Sequence, residues 1–514
     1  MSSVPVAIRP RRSMTLFAIL AILLVIASYV FVIVLAAACV YLPVLMNAVL
    51  LELFGIALAG GLLWSLVPRT DKFEPPGPQL RREQHPRLFA ELDAIAASLN
   101  EALPSEVYLI GEVNAWVADR GGVMGFGSRR VMGIGLPLLS VLTVAQFRAV
   151  LAHEFAHYYG GDTSLGPWVY KTKMAMVRTF RTMGSMGQLA RFWALVIMYL
   201  VVTTILKGYF TVFMRAIHLI SRKQEYRADE LACLVAGKQP LIDGLRTIHG
   251  TAPAWKFYWN NDVAPIVGSG SLPALGDGFA RFVAAPGIWQ RISENVNKEI
   301  SEGKVSPYDT HPPLRERIAA AERVDRDPHP ISSQQNDNEP ASILLDNPQA
   351  AELSFIYALN PSLQQGSLQC VAWDQVAASV TIPGWKAFTK EYGSALEGTT
   401  AGTIADGLPK LPAIGAQMRD PKGMLLTPAQ RTQRAGQLLS AGLALALLDE
   451  GWDLHVAPGV FNFQKGTEQL NPFLVVQQLM EGKLTRDEWA KRCAELGLTE
   501  IALFPAQPKM VSST

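Results

Sequence analysis

From Met14 to Val67, 54 consecutive residues carry a single charge, Glu52. A helix crosses the roughly 30 Å hydrocarbon core of a bilayer in about 20 residues, so this run is long enough for two crossings. Pro43 lies near its middle, where a missing amide hydrogen and a bulky ring end a helix, and the sequence predicts a helical hairpin that turns between Tyr41 and Asn47. Glu52 falls close enough to that turn to reach the interface or a partner. Arg9, Arg11 and Arg12 precede the hairpin and Arg69, Lys72, Arg81 and Arg82 follow it, whereas the turn has no Lys or Arg. This asymmetry places both flanks in the cytoplasm. The box Leu35-Ala36-Ala37-Ala38-Cys39 suggests an exported protein instead, but the apolar region is longer than the roughly 7–15 residues of a signal peptide and continues past Cys39. The expectation is an integral, multi-pass membrane protein whose soluble part is cytoplasmic, in the inner membrane if the source is bacterial.

The remaining composition narrows the partners. Lys plus Arg is 46 and Asp plus Glu is 44, so there is no basic excess with which to grip a nucleic acid. The four cysteines, Cys39, Cys233, Cys370 and Cys493, form no CxxC pair and offer neither a disulfide framework nor a thiolate zinc site.

Beyond the hairpin, Pro86 to Ala102 has helical spacing at Leu88, Leu92, Ile95 and Leu99 and opens a soluble domain. Val107–Leu109, Ala115–Ala118 and Arg130–Ile134 read as short strands of a small sheet. The glycines between 121 and 135 follow no phosphate-binding pattern and read as hairpin turns. Thr143 and Gln146 have capping-box spacing ahead of a periodic run from Val144 to Tyr159 that Gly160-Gly161 would stop. Phe192 to Met214 is again apolar and is expected either to span the membrane or to form a buried or membrane-dipping helical hairpin. Asp325 to Ala341 is polar, contains proline and reads as a linker. Thr427–Glu450 and Thr485–Leu496 look helical. The expected division is therefore 1–13, a cytoplasmic N-terminus; 14–67, the hairpin; 68–324, the domain with the chemistry; 325–341, the linker; and 342–514, a mainly helical accessory domain that is a candidate surface for a protein partner.

The chemistry is carried by His153-Glu154-Phe155-Ala156-His157, an HExxH within the capped helix. Spacing of i, i+4 stacks both imidazoles on one face, where they reach one ion. Zinc takes neutral imidazole, and a catalytic site uses three protein ligands and leaves a fourth position for water, whose proton Glu154 is placed to accept. The longer pattern HExxHxxGxxH would need histidine at position 163, which is Thr163, so the third ligand must come from elsewhere. In Ser221-Arg222-Lys223-Gln224-Glu225-Tyr226-Arg227-Ala228-Asp229, Glu225 and Asp229 share one face of a helix that continues from the apolar stretch. One carboxylate can bind the ion while the other accepts the outer N–H of a ligand histidine, and Glu225 is the better ligand, with Asp229 behind the histidine. His85, His218, His249, His329 and His455 have no partner spacing and receive no role.

HEFAHYYGGD, an apolar helical segment, SRKQEYRAD and then Asp309-Thr310-His311-Pro312-Pro313, in this order and spacing, resemble the HtpX-type and CAAX-prenyl-protease-type membrane zinc metallopeptidases. The resemblance covers about Ala90 to Val324 plus the preceding hairpin. It implies an α+β, mainly α architecture, in which the transmembrane hairpin is followed by a zincin-like catalytic domain with a small sheet and the HExxH helix. It implies one Zn2+ per chain on His153, His157 and Glu225, with Glu154 as general base and Asp229 as a supporting carboxylate. It gives Asn114-Ala115 a part in pairing with substrate backbone, and His311 a part in stabilising the oxyanion. Members of the HtpX type often carry two further clear membrane helices between the motifs, whereas this chain has one convincing apolar stretch.

The implied activity is that of a membrane-integrated zinc endopeptidase hydrolysing protein or peptide substrates at the cytoplasmic face. Two other readings compete with it: a membrane-anchored scaffold with a structural zinc, and a zinc hydrolase of a lipid-linked substrate. An intact Glu154 argues against the scaffold, since a structural site closes all four positions and needs no base.

Overall fold

The apolar run folds as two helices, α1 (Arg12–Leu45) and α2 (Val49–Leu66). Pro43 sits in the last turn of α1, which stops two residues later, and Asn47 takes a left-handed backbone conformation (φ 50°) in the turn. The helices pack through Val32, Leu35, Ala36 and Cys39 against Phe54, Leu58, Ala59 and Leu62. Gly55 allows the approach: a Cβ there would lie 2.0 Å from the Cys39 carbonyl oxygen. Outward residues such as Leu23, Ile26, Val30 and Leu53 stay exposed, the pattern of a helix pair whose other face meets lipid. The structure, a computed structural model, describes residues 12–67, 69–122, 127–158, 166–189, 192–303, 311–325, 336–420 and 425–504.

Chain order continues with β1 (Gln79–Leu80), α3 (Pro86–Leu99), β2 (Glu106–Ile110), β3 (Ala115–Arg120), β4 (Arg129–Gly135), α4 (Leu136–Val141), α5 (Val144–Ala156), α6 (Gly166–Met186), α7 (Trp193–Ala236) and α8 (Lys238–Tyr258). The four strands form a sheet in the order β1-β2-β4-β3, with β2 and β4 parallel and β3 antiparallel to β4, from Ala115 opposite Ile134 to Arg120 opposite Arg129. β3 is thus an edge. Val107 to Ile110 and Val131 to Gly135 are buried without alternation, which requires cover on both faces of the sheet. Gly121, Gly122 and Gly127 have positive φ around the β3–β4 connection, as hairpin-turn glycines do. Leu88, Leu92, Ile95 and Leu99 of α3 are at most 1% exposed, and each such side chain contributes about 1.5–3 kcal/mol by leaving water.

Among the described residues three helices are long and apolar enough to cross a membrane: Ile19–Leu45, Val49–Leu66 and Trp193–Ala236. The last resolves the alternatives for residues 192–214. They form no hairpin but the first half of α7, whose 44 residues extend about 66 Å and carry the SRKQEYRAD segment without a break. Tyr209 of α7 stacks on Phe31 of α1 (centroids 3.9 Å apart) and shares a hydrogen bond with Ser28 (3.1 Å). α6 contains Lys171, Lys173, Arg178 and Arg181 and is not one of the three, yet it packs on α2 through a Ser65–Thr179 hydroxyl pair at 2.6 Å.

The chain forms two compact units, one from the residues up to Trp255 together with Gln290–Pro361, the other from Lys256–Trp289 together with Ser362 onward. The elements after α8 are α9 (Ala264–Gly268), β5 (Ser271–Pro273), α10 (Leu275–Ala284), α11 (Pro286–Glu302), α12 (Leu314–Glu322) and α13 (Pro348–Leu359). The division differs from a break at 325–341. Residues 326–335 of the expected linker lie outside the described residues, but 336–361 are held to the first unit by specific bonds. The Glu339 and Asp337 carbonyls accept the Val144 and Ala145 amides at the start of α5 (2.9 and 3.0 Å), and Ala341 donates to the Leu142 carbonyl (2.8 Å). Those α5 amides have no partner within their own helix, so this segment completes its N-terminus. Arg148 of α5, 2% exposed, binds Glu91 and also Asp337 (2.8 Å), and Phe355 of α13 lies over Gly111.

The second unit continues with β6 (Gln369–Val371), α14 (Ile382–Tyr392), α15 (Ile404–Gly407), α16 (Leu411–Gln417), α17 (Pro428–Asp449), β7 (Asp453–Ala457), β8 (Val460–Lys465), β9 (Glu468–Leu470), α18 (Pro472–Met480) and α19 (Arg486–Glu495). α17 and α19 both begin with capping boxes, Thr427 with Gln430 and Thr485 with Glu488. The unit is mainly helical and also holds the antiparallel meander β7-β8-β9. Its core includes Leu438, Leu439, Leu443, Phe463, Val476 and Trp489, whose indole donates to the Ala401 carbonyl (2.8 Å).

Candidate metal centre

α5 is fixed at its N-terminus by the Thr143/Gln146 capping box and runs to Ala156, leaving His157 as its C-cap. The expected stop at Gly160-Gly161 lies outside the described residues, as do Asp162, Thr163, Asp309 and Thr310. Residues 153 and 157 stay one above the other on the α5 face that packs against α7, and α7 brings Glu225 and Asp229, also one turn apart, to meet them. α12 packs on α7 from another side, tied by the Tyr226 hydroxyl donating to Glu316 (2.6 Å).

The three expected ligands lie close enough together to hold one cation. The Nε2 atoms of His153 and His157 are 3.2 Å apart, His153 Nε2 is 3.5 Å from Glu225 Oε2, and His157 Nε2 is 3.6 Å from Glu225 Oε1. Zinc–ligand bonds of about 2.0–2.1 Å put tetrahedral donors roughly 3.3–3.4 Å from one another, so these separations need little adjustment. The donor set of two imidazoles and a carboxylate suits zinc. Glu225 Oε2 is buried with no hydrogen-bond partner among the described residues; His311 Nδ1 approaches to 2.8 Å without the alignment of a bond. A buried, unsatisfied carboxylate oxygen aimed at two imidazoles is the local sign that a cation belongs there.

Behind this triangle, Asp229 Oδ1 lies 2.9 Å from His153 Nδ1. Accepting the Nδ1 proton leaves the Nε2 lone pair free for the centre. Asp229 is itself held by Arg317, whose Nε donates to Oδ2 (2.9 Å) and Nη2 to Oδ1 (2.7 Å). Arg317 is a site residue that spacing rules missed, though a signal was present. On α12 the buried positions are Leu314, Arg317, Ile318 and Ala321, an i, i+3, i+4, i+7 stripe in which one charged residue sits on the apolar face.

The electrostatics separate the three α5 groups. Burial pushes the Glu154 carboxyl up to about 7, the Glu225 charge adding to the effect and His153 opposing it. Burial and the neighbouring His153 push His157 down to about 4. His153 is held up to about 9, because its bonds to Asp229 and Glu225 outweigh burial and the Arg317 charge. A carboxyl raised to about 7 can take and return a proton near neutrality.

The His311 side chain, beside Glu225, is 62% exposed. Asn114 and Ala115 lie at the start of β3, the edge strand that packs on α5, and make no hydrogen bond or ion pair with the cluster. The Asn114 carbonyl accepts Gly135 N–H (2.9 Å) and its side chain accepts Ala115 N–H (2.9 Å), bonds that fix where the strand begins.

Residues 82–325 match the family model for Peptidase family M48. Two curated proteins, each named Protease HtpX homolog, from Chlorobium phaeobacteroides strain BS1 and strain DSM 266 / SMG 266 / 2430, are 27% identical to the chain over 214 and 212 residues. The matches cover 38% of this chain and 56% and 58% of those relatives, so the chain spans little more than half the length of the proteins it matches. Residues 82–325, which hold the HExxH helix, the Glu225 helix and the His-Pro-Pro turn, are thus similar to peptidase family M48 and to proteins named Protease HtpX homolog.

Proposed function

We propose that the chain is a membrane-integrated zinc endopeptidase, and the observation that carries this is the convergence of His153, His157 and Glu225 with Asp229 and Arg317 behind them. His153, His157 and Glu225 hold one zinc. When bound, zinc supplies Lewis-acid polarisation of the scissile carbonyl and makes nearby water more acidic. Glu154 takes a proton from the attacking water and passes it to the leaving amine nitrogen, so that one carboxyl serves as base and then as acid. Asp229 keeps His153 in the tautomer that points its lone pair inward, and Arg317 holds Asp229 in place. His311, exposed beside Glu225, stabilises charge developing on the carbonyl oxygen. Asn114, Ala115 and the rest of the β3 edge accept an extended peptide by strand addition, which gives affinity with little sequence choice.

The basic residues on both flanks of α1 and α2 support a reading in which the catalytic unit works at the cytoplasmic face of the bilayer and the second unit is an accessory, partner-binding part. The test is metal content. Purified in detergent, the wild type should carry one zinc per chain, and His153→Ala and Glu225→Ala should carry none while keeping the wild-type helical signature. Zinc retained at full occupancy by both variants would remove the assignment.

A further inference from the structure

The outer edge of β3 carries an acidic side chain that the chemistry above leaves unused. Gly135 donates to the Asn114 carbonyl (2.9 Å), and Ala115 stands opposite Ile134, so Asn114 and Gly135 form a hydrogen-bonded pair. Such pairs alternate with non-bonded ones along an antiparallel ladder. Trp116, Ala118 and Arg120 therefore bond to β4, and the N–H and C=O groups of Ala115, Val117 and Asp119 point outward, away from β4. The Ala115 amide holds the Asn114 side chain (2.9 Å), whereas the outward groups of Val117 and Asp119 have no backbone partner among the described residues.

Side chains alternate between the two faces of a sheet, and directly opposed residues share a face. Asp119 stands opposite Arg130, whose guanidinium lies 3.9 Å from the centre of the Tyr158 ring and 3.2 Å from Glu101. Tyr158 directly follows the candidate ligand His157 in the chain. Arg120 and Arg129, opposed on the other face, both lie over Phe73 instead. Asp119 is thus on the sheet face that carries Tyr158. Its half-buried side chain makes no hydrogen bond or ion pair among the described residues, and Arg130, its cross-strand neighbour, is bound to Glu101.

A peptide that adds to this edge pairs with Val117 and Asp119 and sets one side chain directly opposite Asp119, on the same face, with the two Cβ atoms about 4.5–5.5 Å apart. Opposite charges at that spacing attract and like charges repel. We propose that Asp119 is a specificity-determining residue, which selects a lysine or arginine side chain at the one position of the extended substrate that pairs with it. This deepens the peptidase reading above and rests on it. The competing account is a solvated carboxylate whose charge only keeps an open sheet edge from pairing with other chains.

The experiment uses the full-length enzyme in detergent and a fluorogenic peptide that it cleaves, remade with Lys, Ala or Glu at each position in turn. Within each enzyme the readout is the ratio of kcat/KM for Lys to that for Glu at one position, so that a change in overall activity cancels. The wild type should prefer Lys to Ala about two- to fivefold at one position and should disfavour Glu there, the scale of one cross-strand charge pair. Asp119→Asn, which keeps the shape without the charge, should bring that ratio to about one, and Asp119→Lys should invert it, both at wild-type zinc content. An inverted ratio cannot come from a loosened fold. No charge preference at any position in the wild type, or the wild-type ratio retained in Asp119→Asn, would overturn the proposal. If the wild type carries zinc and cleaves no peptide or protein, the peptidase reading fails first and takes the proposal with it. A working wild type with an indifferent Asp119 defeats the proposal alone.

Discussion

The Arg317 guanidinium grips the Asp229 carboxylate through two hydrogen bonds, 2.9 and 2.7 Å long, where the two side chains are 7% and 1% exposed. Removing one partner of such a pair strands the other as a buried charge. Arg317→Ala should therefore destabilise the protein by about 3–5 kcal/mol in a denaturant titration. Because Asp229 also orients His153, zinc affinity measured against a competing chelator should fall about 10–100-fold. Arg317→Lys should restore only part of either loss, since an ammonium cannot reproduce the two-pronged geometry. Wild-type zinc affinity in Arg317→Ala would show that Asp229 does not depend on it.

The pH dependence of metal uptake follows from His153. Free His titrates near 6.5, whereas in the metal-free pocket His153 is held up to about 9. Between these values the folded protein keeps a proton that the unfolded chain has lost. This contribution to the stability of the metal-free protein is complete below about 6.5 and disappears as pH rises to about 9. Zinc must displace that proton, so its affinity should rise about tenfold per pH unit up to about 9 and then level off. Calorimetric titration at pH 7.5 in two buffers of different ionisation enthalpy should find about one proton released per zinc; none released would contradict the assignment.

The parts of the site legible in the sequence are those where one helix carries two groups. His153 with His157, and Glu225 with Asp229, are fixed by helical periodicity alone once the helices are located. Arg317 reaches its partner 88 residues away through the packing of α12 on α7, which spacing does not encode. The hairpin and its turn followed from Pro43 and from the length of the apolar run. The meander β7-β8-β9 was missed although Asp453–Ala457 and Val460–Lys465 alternate, because short strands in a mainly helical region are weak signals. The role of residues 336–361 was hidden for another reason. A polar, proline-containing stretch reads as a linker whether or not its backbone finishes another helix.

Arg148 tests that segment. It is buried between Glu91 and Asp337, and Arg148→Ala leaves Glu91, 4% exposed, without its cation. A loss of about 3–5 kcal/mol is expected. Asp337→Ala removes only one of the two carboxylates and should cost about 1–3 kcal/mol, still enough to lower the thermal midpoint measurably. If Asp337→Ala unfolds as the wild type does, residues 336–361 are not a working part of the first unit.

Gly55 and Gly60 provide a matched pair in α2. A Cβ at Gly55 would lie 2.0 Å from the Cys39 carbonyl oxygen, whereas one at Gly60 would meet nothing within 4 Å. Gly55→Ala should push the helices apart and cost about 1–3 kcal/mol, and Gly60→Ala should be neutral. Thermal midpoints in one detergent compare them directly; equal midpoints would mean that the α1–α2 packing is wrong.

The most direct test of the central claim is cleavage of an unfolded protein by wild type and Glu154→Gln, purified in parallel with zinc measured in both. Glutamine keeps the shape of Glu154 but cannot take a proton, and loss of a general base lowers a rate by about 10²–10⁴. The account predicts one zinc per chain in each protein, cleavage by the wild type and at least a hundredfold slower cleavage by the variant. Equal cleavage by both would contradict it.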